Sequence, residues 1–478
     1  MVDKDDRLLF VNTYGSTSEN YEPRYESRGT VLSEAKNIAS ATFPLLVTFL
    51  LQYLLSVTTI YATGRLGSKE LAAATLGTSS FTISGLGVYQ GMSTCLDSFC
   101  SQAYGAGKRH HVGLFFQRCS LMGICLTIFP LSVLWWNSGY IFQWFVEDQD
   151  IIEMAQLHLR IVTFGAPGLL LFETGKRYLQ AQNIYSAGTY ILIFVAIFNC
   201  FLNWILVWNS TTGLGFLGAP IAITISYWMM PVLMLFYVLF VDGAECWGGL
   251  NFVEVTKEWM PLINLAIPGV LMTEAEYVAC QIINFLAASM GTDELAAQSI
   301  TSNVGFSSFQ LSFALSVAVG TRLGQYVGKK NLEYCSLVVR TASMMGVFLS
   351  AFNFSFIFFF RRSLGRLFTS SEEVLKISDR TLILSAINQI SDVLNVVAAG
   401  ILRGQGRQKI GSILTMMAYY CISVPIGYYF GIIKDLQLSG LWLGYILGVF
   451  VLAIAEFWVI YTSNWQKIFI DSSKLQQE

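Results

Sequence analysis

The sequence predicts an all-α polytopic membrane protein of twelve transmembrane helices, in two six-helix lobes related by an axis along the membrane normal. An apolar composition, twelve long apolar segments and an internal duplication carry that expectation. Of 478 residues, 54% are hydrophobic and 13% charged, where soluble proteins carry about 25% charged residues; the mean hydropathy is +0.55. Twelve spans of about 20 residues need about 240 positions, close to the chain's hydrophobic share. One soluble domain is excluded. With 29 basic against 31 acidic residues, no net basic field exists to hold a phosphate backbone, so nucleic acid is not an expected partner. The nine cysteines include no Cys-x-x-Cys, and His110, His111 and His158 do not form a metal set; no cofactor or metal is expected.

Apolar stretches cover about 40 to 62, 74 to 94, 115 to 137, 155 to 172, 187 to 208 and 217 to 240, then 262 to 286, 300 to 320, 336 to 359, 383 to 402, 412 to 432 and 440 to 462. They are broken by Pro and Gly instead of alternating, which favours helices over barrel strands. The fourth is interrupted by Pro167 and Gly168. Residues 1–35 are polar, without an apolar signal run, and read as a disordered cytoplasmic tail. The remaining divisions are a first lobe over 36–240, a cytoplasmic linker over 241–261, a second lobe over 262–462 and a cytoplasmic tail over 463–478. Inner loops hold Lys108, Arg109, Lys257, Lys329, Lys330 and Arg407, as the positive-inside rule asks of a cytoplasmic N-terminus. Arg361, Arg362, Arg366, Lys376 and Arg380 fall on the outer side and disagree with it.

Two six-span halves follow from landmarks that recur at nearly constant offset. Pro44 and Pro268 differ by 224, as do the Glu-Leu-Ala-Ala words at Glu70 and Glu294; Gly105 with Gly328 and Gly188 with Gly411 differ by 223. An even number of spans per half starts both halves on one membrane face, giving parallel repeats around a central cleft.

Ionisable groups inside hydrocarbon need water, a partner or neutralisation. Glu276 in span 7 and Asp392 in span 10 stand out, with Glu274 two residues earlier on another face of the same helix. A carboxylate in a poorly hydrated cleft holds its proton more tightly, and an arriving cation favours release. Proton and cation then compete for one negative site. Tyr277 offers a ring face to an organic cation, or simply packs; Gln281 and Asn284 extend the polar content of span 7. Asp97, Glu173 and Lys176 lie near inner ends, where gate or interface pairing is expected, and Glu456 is a further acidic residue in span 12. Arg403, Arg407 and Arg322 are expected to secure inner ends and the lipid interface. No Gly-x-x-x-x-Gly-Lys-Ser/Thr loop, Gly-x-Ser-x-Gly elbow or His-Glu-x-x-His occurs. The chain is not expected to be an enzyme.

Several words, in order, resemble the multidrug and toxic compound extrusion (MATE) family, particularly its eukaryotic branch, over about residues 34–465. They are PLLVTFLLQ from Pro44, GRLGSKELA from Gly64, LDSFCSQAYGA from Leu96, KRYLQAQ from Lys176, GFLGAPIA from Gly215 and GILRGQGRQ from Gly400, followed by Tyr419-Tyr420 and Pro425. The resemblance implies secondary active efflux, usually a cation out against a proton in, with a carboxylate-rich cavity in the second lobe. Glu276 matches the first Glu of the family's Glu-aromatic-aromatic-x-x-Glu pattern; the second is Gln281 here, and the aromatic pair is Tyr277 and Val278. Asp392 stands at the acidic position before Arg-Gly-x-Gly, and Glu294 with Gln298 matches an outer-end Glu-Leu-x-x-Gln word. Asp97 matches an inner-end residue of span 2 that implies a gate. Span 1 lacks the carboxylate of many bacterial relatives and keeps Gln52 among its few polar groups, while Tyr419 is a further polar candidate.

The expected function is proton-coupled export of organic cations or small amphipathic metabolites by alternating access, from a chain functional as a monomer in the lipid bilayer. A plasma membrane is preferred over a vacuolar-type one. A sodium-coupled exporter, a transporter of lipid-linked or anionic metabolites, and a non-transporting scaffold are the alternatives.

Overall fold

The computed structural model describes residues 29–209, 211 and 213–475, all of its regular structure helical. The spans, numbered in chain order, are α1 Val31–Gly64, α2 Ser68–Gly105, α3 Arg109–Trp136, α5 Ala187–Trp208, α6 Gly215–Phe240, α7 Trp259–Met290, α8 Thr292–Gly328, α9 Leu332–Phe368, α10 Glu372–Gly404, α11 Gln408–Ile433 and α12 Gln437–Tyr461. The fourth, α4, is a pair, Gln149–Thr163 and Ala166–Ala181, bent by 54°. A Pro-containing Gly165 to Gly168 stretch makes this bend, and both glycines pack against the α6 backbone near Thr224 and Tyr227. A thirteenth helix, α13, spans Trp465–Leu475.

Most of the expected N-terminal tail lies outside the described residues, but its end does not behave as a tail. Residues 31–35 open α1 behind a capping box in which the Thr30 and Ser33 side chains bond each other's backbone N–H groups. Glu34 then receives two hydrogen bonds from Arg322 of α8, at 2.9 and 2.8 Å. The expected tail over 463–478 is likewise largely α13, which sinks Ile468 into the second lobe's core. The linker is strapped to the first lobe: Gln117 and Arg118 of α3 donate to the carbonyls of Gly249 and Glu254, and Tyr178 of α4 donates to that of Gly243.

The duplication is visible turn by turn. Gly67 and Gly291, 224 residues apart, make the short corners from α1 to α2 and from α7 to α8. Gly291 has φ of +133°, in the region that favours glycine. Inner halves of the leading helices are exchanged between lobes. Ile38, Ala41, Leu45 and Phe49 of α1 pack in the core of α8, α9 and α10, while Leu262, Leu265 and Ala266 of α7 pack in the core of the first lobe. A boundary drawn at 240 or 262 therefore separates the chain but not the packing.

The repeats differ in α2. A π-helical turn occupies Thr82–Gly87, whereas the matching part of α8 is unbroken α-helix. Inner half of α2 packs on α7 and α8; its outer half packs on α1 and α4 instead. The lobes thus meet at the inner face and diverge towards the outer one. Among the basic residues that disagree with the charge rule, Arg361 and Arg362 are drawn to Asp379 at 3.0 and 3.8 Å, and Arg361 also covers the Phe358 ring.

Candidate functional site

The second lobe gathers acid and phenol groups from four of its spans. α7 supplies Glu274, Glu276 and Tyr277; α10 supplies Asp392; α11 and α12 supply Tyr419 and Tyr445. Two residues of α-helix turn the side chain by about 200°, so Glu274 and Glu276 face opposite ways. Glu276 points into its own lobe, where its charge and that of Asp392 act on each other and on Tyr419 and Tyr445. Asp392 is 4% exposed, and its Oδ1 has no hydrogen-bond partner among the described residues. The buried Tyr419 hydroxyl is equally bare, with its ring 5.7 Å from that of Tyr445. Among the described residues, no Lys, Arg or His nitrogen lies within ion-pair reach, 4 Å, of Glu274, Glu276 or Asp392.

Glu274 faces the other lobe. A Cβ on Gly87, in the π-helical turn of α2, would stand 2.3 Å from Glu274 Oε1 and 3.3 Å from the Tyr277 ring. The carboxylate and ring close against bare backbone there, so any side chain at 87 would push the Glu274 carboxylate aside. Tyr445 and Gly87 were not singled out as site residues by the sequence reading. The only signal for Tyr445 is a polar hydroxyl in an apolar span, one of 22 tyrosines.

Gln281 joins a different group. It accepts from Asn284 at 3.3 Å; Asn284 accepts from Gln298 at 3.0 Å; and Gln298 donates to Ser302 at 2.9 Å and accepts from Trp442 Nε1 at 2.9 Å. This chain of amides ties α7, α8 and α12 towards the outer face. Glu294, in the first turn of α8, keeps one buried oxygen unpartnered and is not part of the Glu276–Asp392 cluster.

The first lobe answers its buried carboxylate internally. Lys176 donates to Glu173 at 2.8 Å and to Gln52 at 3.0 Å; Gln52 donates to the same Glu173 oxygen at 2.6 Å. The rings of Phe49 and Phe172 flank the ammonium at 5.2 and 5.1 Å. For Glu173 the expectation is gate or interface pairing with Arg or Lys. The three-residue spacing of Glu173 and Lys176 puts them on one helical face, so they pair with each other.

Asp97 takes the interface position. It lies 3.1 Å from Arg177 Nη1 in its own lobe and 3.6 Å from Arg403 Nε in the other. Around it Ser98 and Gln102 donate to the carbonyls of Arg403 and Gly404 at 2.6 and 3.0 Å, and Gln408 donates to that of Thr94 at 2.8 Å. Gly105 and Gly328 abut the facing backbone at Gln325 and Gln102 so closely that a side chain on either would collide with it. Arg403 is 6% exposed, so it does not serve the lipid interface as expected; the polar contacts of the seal hold it inside.

The MatE family model matches the chain twice, over residues 44–205 and 268–429, the second match starting 224 residues after the first. The chain belongs to the MATE family. Its relatives include an uncharacterized transporter, YDR338C, of Saccharomyces cerevisiae, 35% identical over 92% of this chain; the match spans 63% of that relative's length. Multidrug and toxin extrusion protein 1 of Homo sapiens is 28% identical over 89% of this chain and 74% of its own. Among solved structures, the eukaryotic MATE transporter AtDTX14 superposes with a TM-score of 0.87 at 24% identity, covering 93% of this chain and 99% of that one. This MATE protein is therefore a membrane transporter and not an enzyme, and its two lobes have the family's twelve-helix architecture.

Proposed function

We propose that this MATE protein exports organic cations or small amphipathic metabolites by alternating access in exchange for protons, using the Glu276–Asp392 pocket. The observation that carries this reading is a pair of carboxyl groups in one lobe with no basic side chain in ion-pair reach among the described residues. Two neighbouring acids, one of them buried, are costly to ionise together without a counter-ion. Either a proton or a cargo cation must therefore accompany them, and one displaces the other. Tyr277, Tyr419 and Tyr445 supply ring faces and hydroxyls around a cationic headgroup.

With the N-terminus cytoplasmic, the sealed inner face and diverging outer halves correspond to an outward-facing state. Protons entering from outside would release cargo there. In the first lobe Lys176 already neutralises Glu173, which closes that carboxylate to a proton or cation. A predominantly anionic cargo is disfavoured by the same uncompensated acids. Residence in the plasma membrane and action as a monomer complete the reading.

The test is simultaneous flux of a probe cation, tetraethylammonium, and of protons in proteoliposomes. An imposed inward proton gradient should drive the cation outward, with unchanged rates when sodium is replaced by choline at fixed pH. Sodium-dependent flux that ignores the proton gradient would instead establish the sodium-coupled alternative.

A further inference from the structure

Glu456, near the inner end of α12, is 0% exposed, and neither of its carboxylate oxygens has a hydrogen-bond partner among the described residues. Its neighbours along the buried face of the helix, Val449, Leu452, Ala453 and Ile460, are apolar. A carboxyl buried so bare is costly, and a hydrophobic side chain would pack as well. Among the described residues, the charged group that acts on it is Arg403 of α10, a helix packed against α12. Arg407, at the α10–α11 turn, is engaged elsewhere, with the Val459 carbonyl and Ser463. Arg403 is itself turned away, 3.6 Å from Asp97 in the opposite lobe and donating to Ser316 at 2.7 Å.

The four charges sort by lobe. Asp97 and Arg177 belong to the first and already stand 3.1 Å apart. If the lobes part at the inner face, that pair leaves compensated. Arg403 then stays in the second lobe without its carboxylate. Of the groups whose charges act on Arg403, namely Asp97, Arg177 and Glu456, only Glu456 is an acid of its own lobe.

We propose that Glu456 is a positioning residue that takes over Arg403 when the lobes separate at the inner face, so that Asp97 and Glu456 stabilise opposite states of the transporter. The proposal rests on the alternating-access reading, but not on the identity of cargo or coupling ion. In the state described here Arg403 holds the seal; after opening, reorientation towards Glu456 keeps its charge compensated.

The experiment measures inner-face distances by pulsed electron resonance between spin labels at His110→Cys and Lys330→Cys, with the exposed Cys125, Cys200 and Cys421 replaced by Ser. Glu456→Gln should lower the separated fraction at least about fivefold, and Asp97→Asn should raise it by a similar factor. Glu456→Asp, which keeps the charge, should retain most of the wild-type distribution. A Glu456→Gln distribution equal to wild type, or shifted in the same direction as Asp97→Asn, overturns the proposal. So does Glu456→Asp behaving as Glu456→Gln, which would mark a packing role. If Glu456→Gln alone does not fold, the double variant with Arg403→Gln should fold and respond no further to Asp97→Asn; failure there also overturns it. A wild-type chain with a single distance under every condition overturns alternating access, and the proposal with it, whereas two wild-type distances confine any failure to Glu456.

Discussion

The first lobe places Gln52 and Tyr53 where the second, 224 residues later, places Glu276 and Tyr277. From that one difference the two polar interiors diverge. In the first, an amide, a carboxylate and an ammonium bond one another at 2.6 to 3.0 Å and the charges cancel. In the second, an acid replaces the amide, α10 contributes a second acid, and among the described residues no basic side chain pairs with either. A buried pair whose charges cancel is structural, since changing its protonation costs the whole pair. An unsatisfied pair of acids remains open to a proton or a cation. The same backbone repeat therefore yields a fixed lobe and a lobe able to exchange ions, and side-chain identity at a few positions makes the difference.

This contrast is open to attack at four places. The largest effect is expected at the pocket: Glu276→Gln should reduce proton-coupled cation flux in proteoliposomes at least about tenfold, with insertion and elution profile unchanged. Full coupled flux from a folded variant would remove Glu276 from the mechanism. In the first lobe the effect should fall on stability instead. Lys176→Met leaves Glu173 buried and unpaired, a loss of about 3–5 kcal/mol, read as a lower thermal midpoint in detergent; the fraction that folds should still couple cation to proton. A normal midpoint with lost coupling would reverse the assignment of the lobes.

A smaller change tests the contact between them. Gly87→Ala puts a methyl 2.3 Å from Glu274 Oε1, so the carboxylate must move, and a few-fold rise in KM for the probe cation is expected with little change in maximal flux. The smallest effect belongs to an exposed pair. Lys69, hydrogen-bonded to Asp148 at the outer face, holds that carboxyl below its ordinary value of 3.8. A depressed carboxyl stabilises the fold above its ordinary titration range and loses that contribution as pH falls through the depressed value. Lys69→Met should therefore leave the thermal midpoint at pH 7 almost unchanged and flatten its fall below pH 4. A loss at pH 7 as large as that of Lys176→Met would mean that burial does not separate the two pairs.

Much of this was legible before any coordinates. Span number, the repeat and its offset, the family words and the acids Glu276 and Asp392 follow from composition and spacing, because hydrocarbon tolerates few polar residues and makes each of them informative. What escaped has a common physical cause. Arg403 is expected at the inner ends and the lipid interface; it holds the inner end but not the lipid surface, since a sequence cannot tell which face of a helix a neighbouring lobe covers. Gln281 was grouped with Glu276 by proximity along α7, yet helical rotation sends it to the amide chain of Asn284, Gln298 and Trp442. Tyr445 could not be distinguished among the tyrosines until Tyr419 and Cys280 stood beside it.

The chain's covalent order alone determined that it spans a membrane about twelve times, in two like halves, with acids concentrated in the second. Hydrophobic length and repetition are properties of a linear string, so no contact was needed to read them. Only the tertiary structure decided which charges are spent. It paired Glu173 with Lys176, left Glu276 and Asp392 in the second lobe without a basic partner among the described residues, held Arg403 against Asp97, and crossed the inner halves of α1 and α7 into opposite lobes. Partnership between buried charges depends on helix rotation and on separations of a few ångströms between residues hundreds of positions apart.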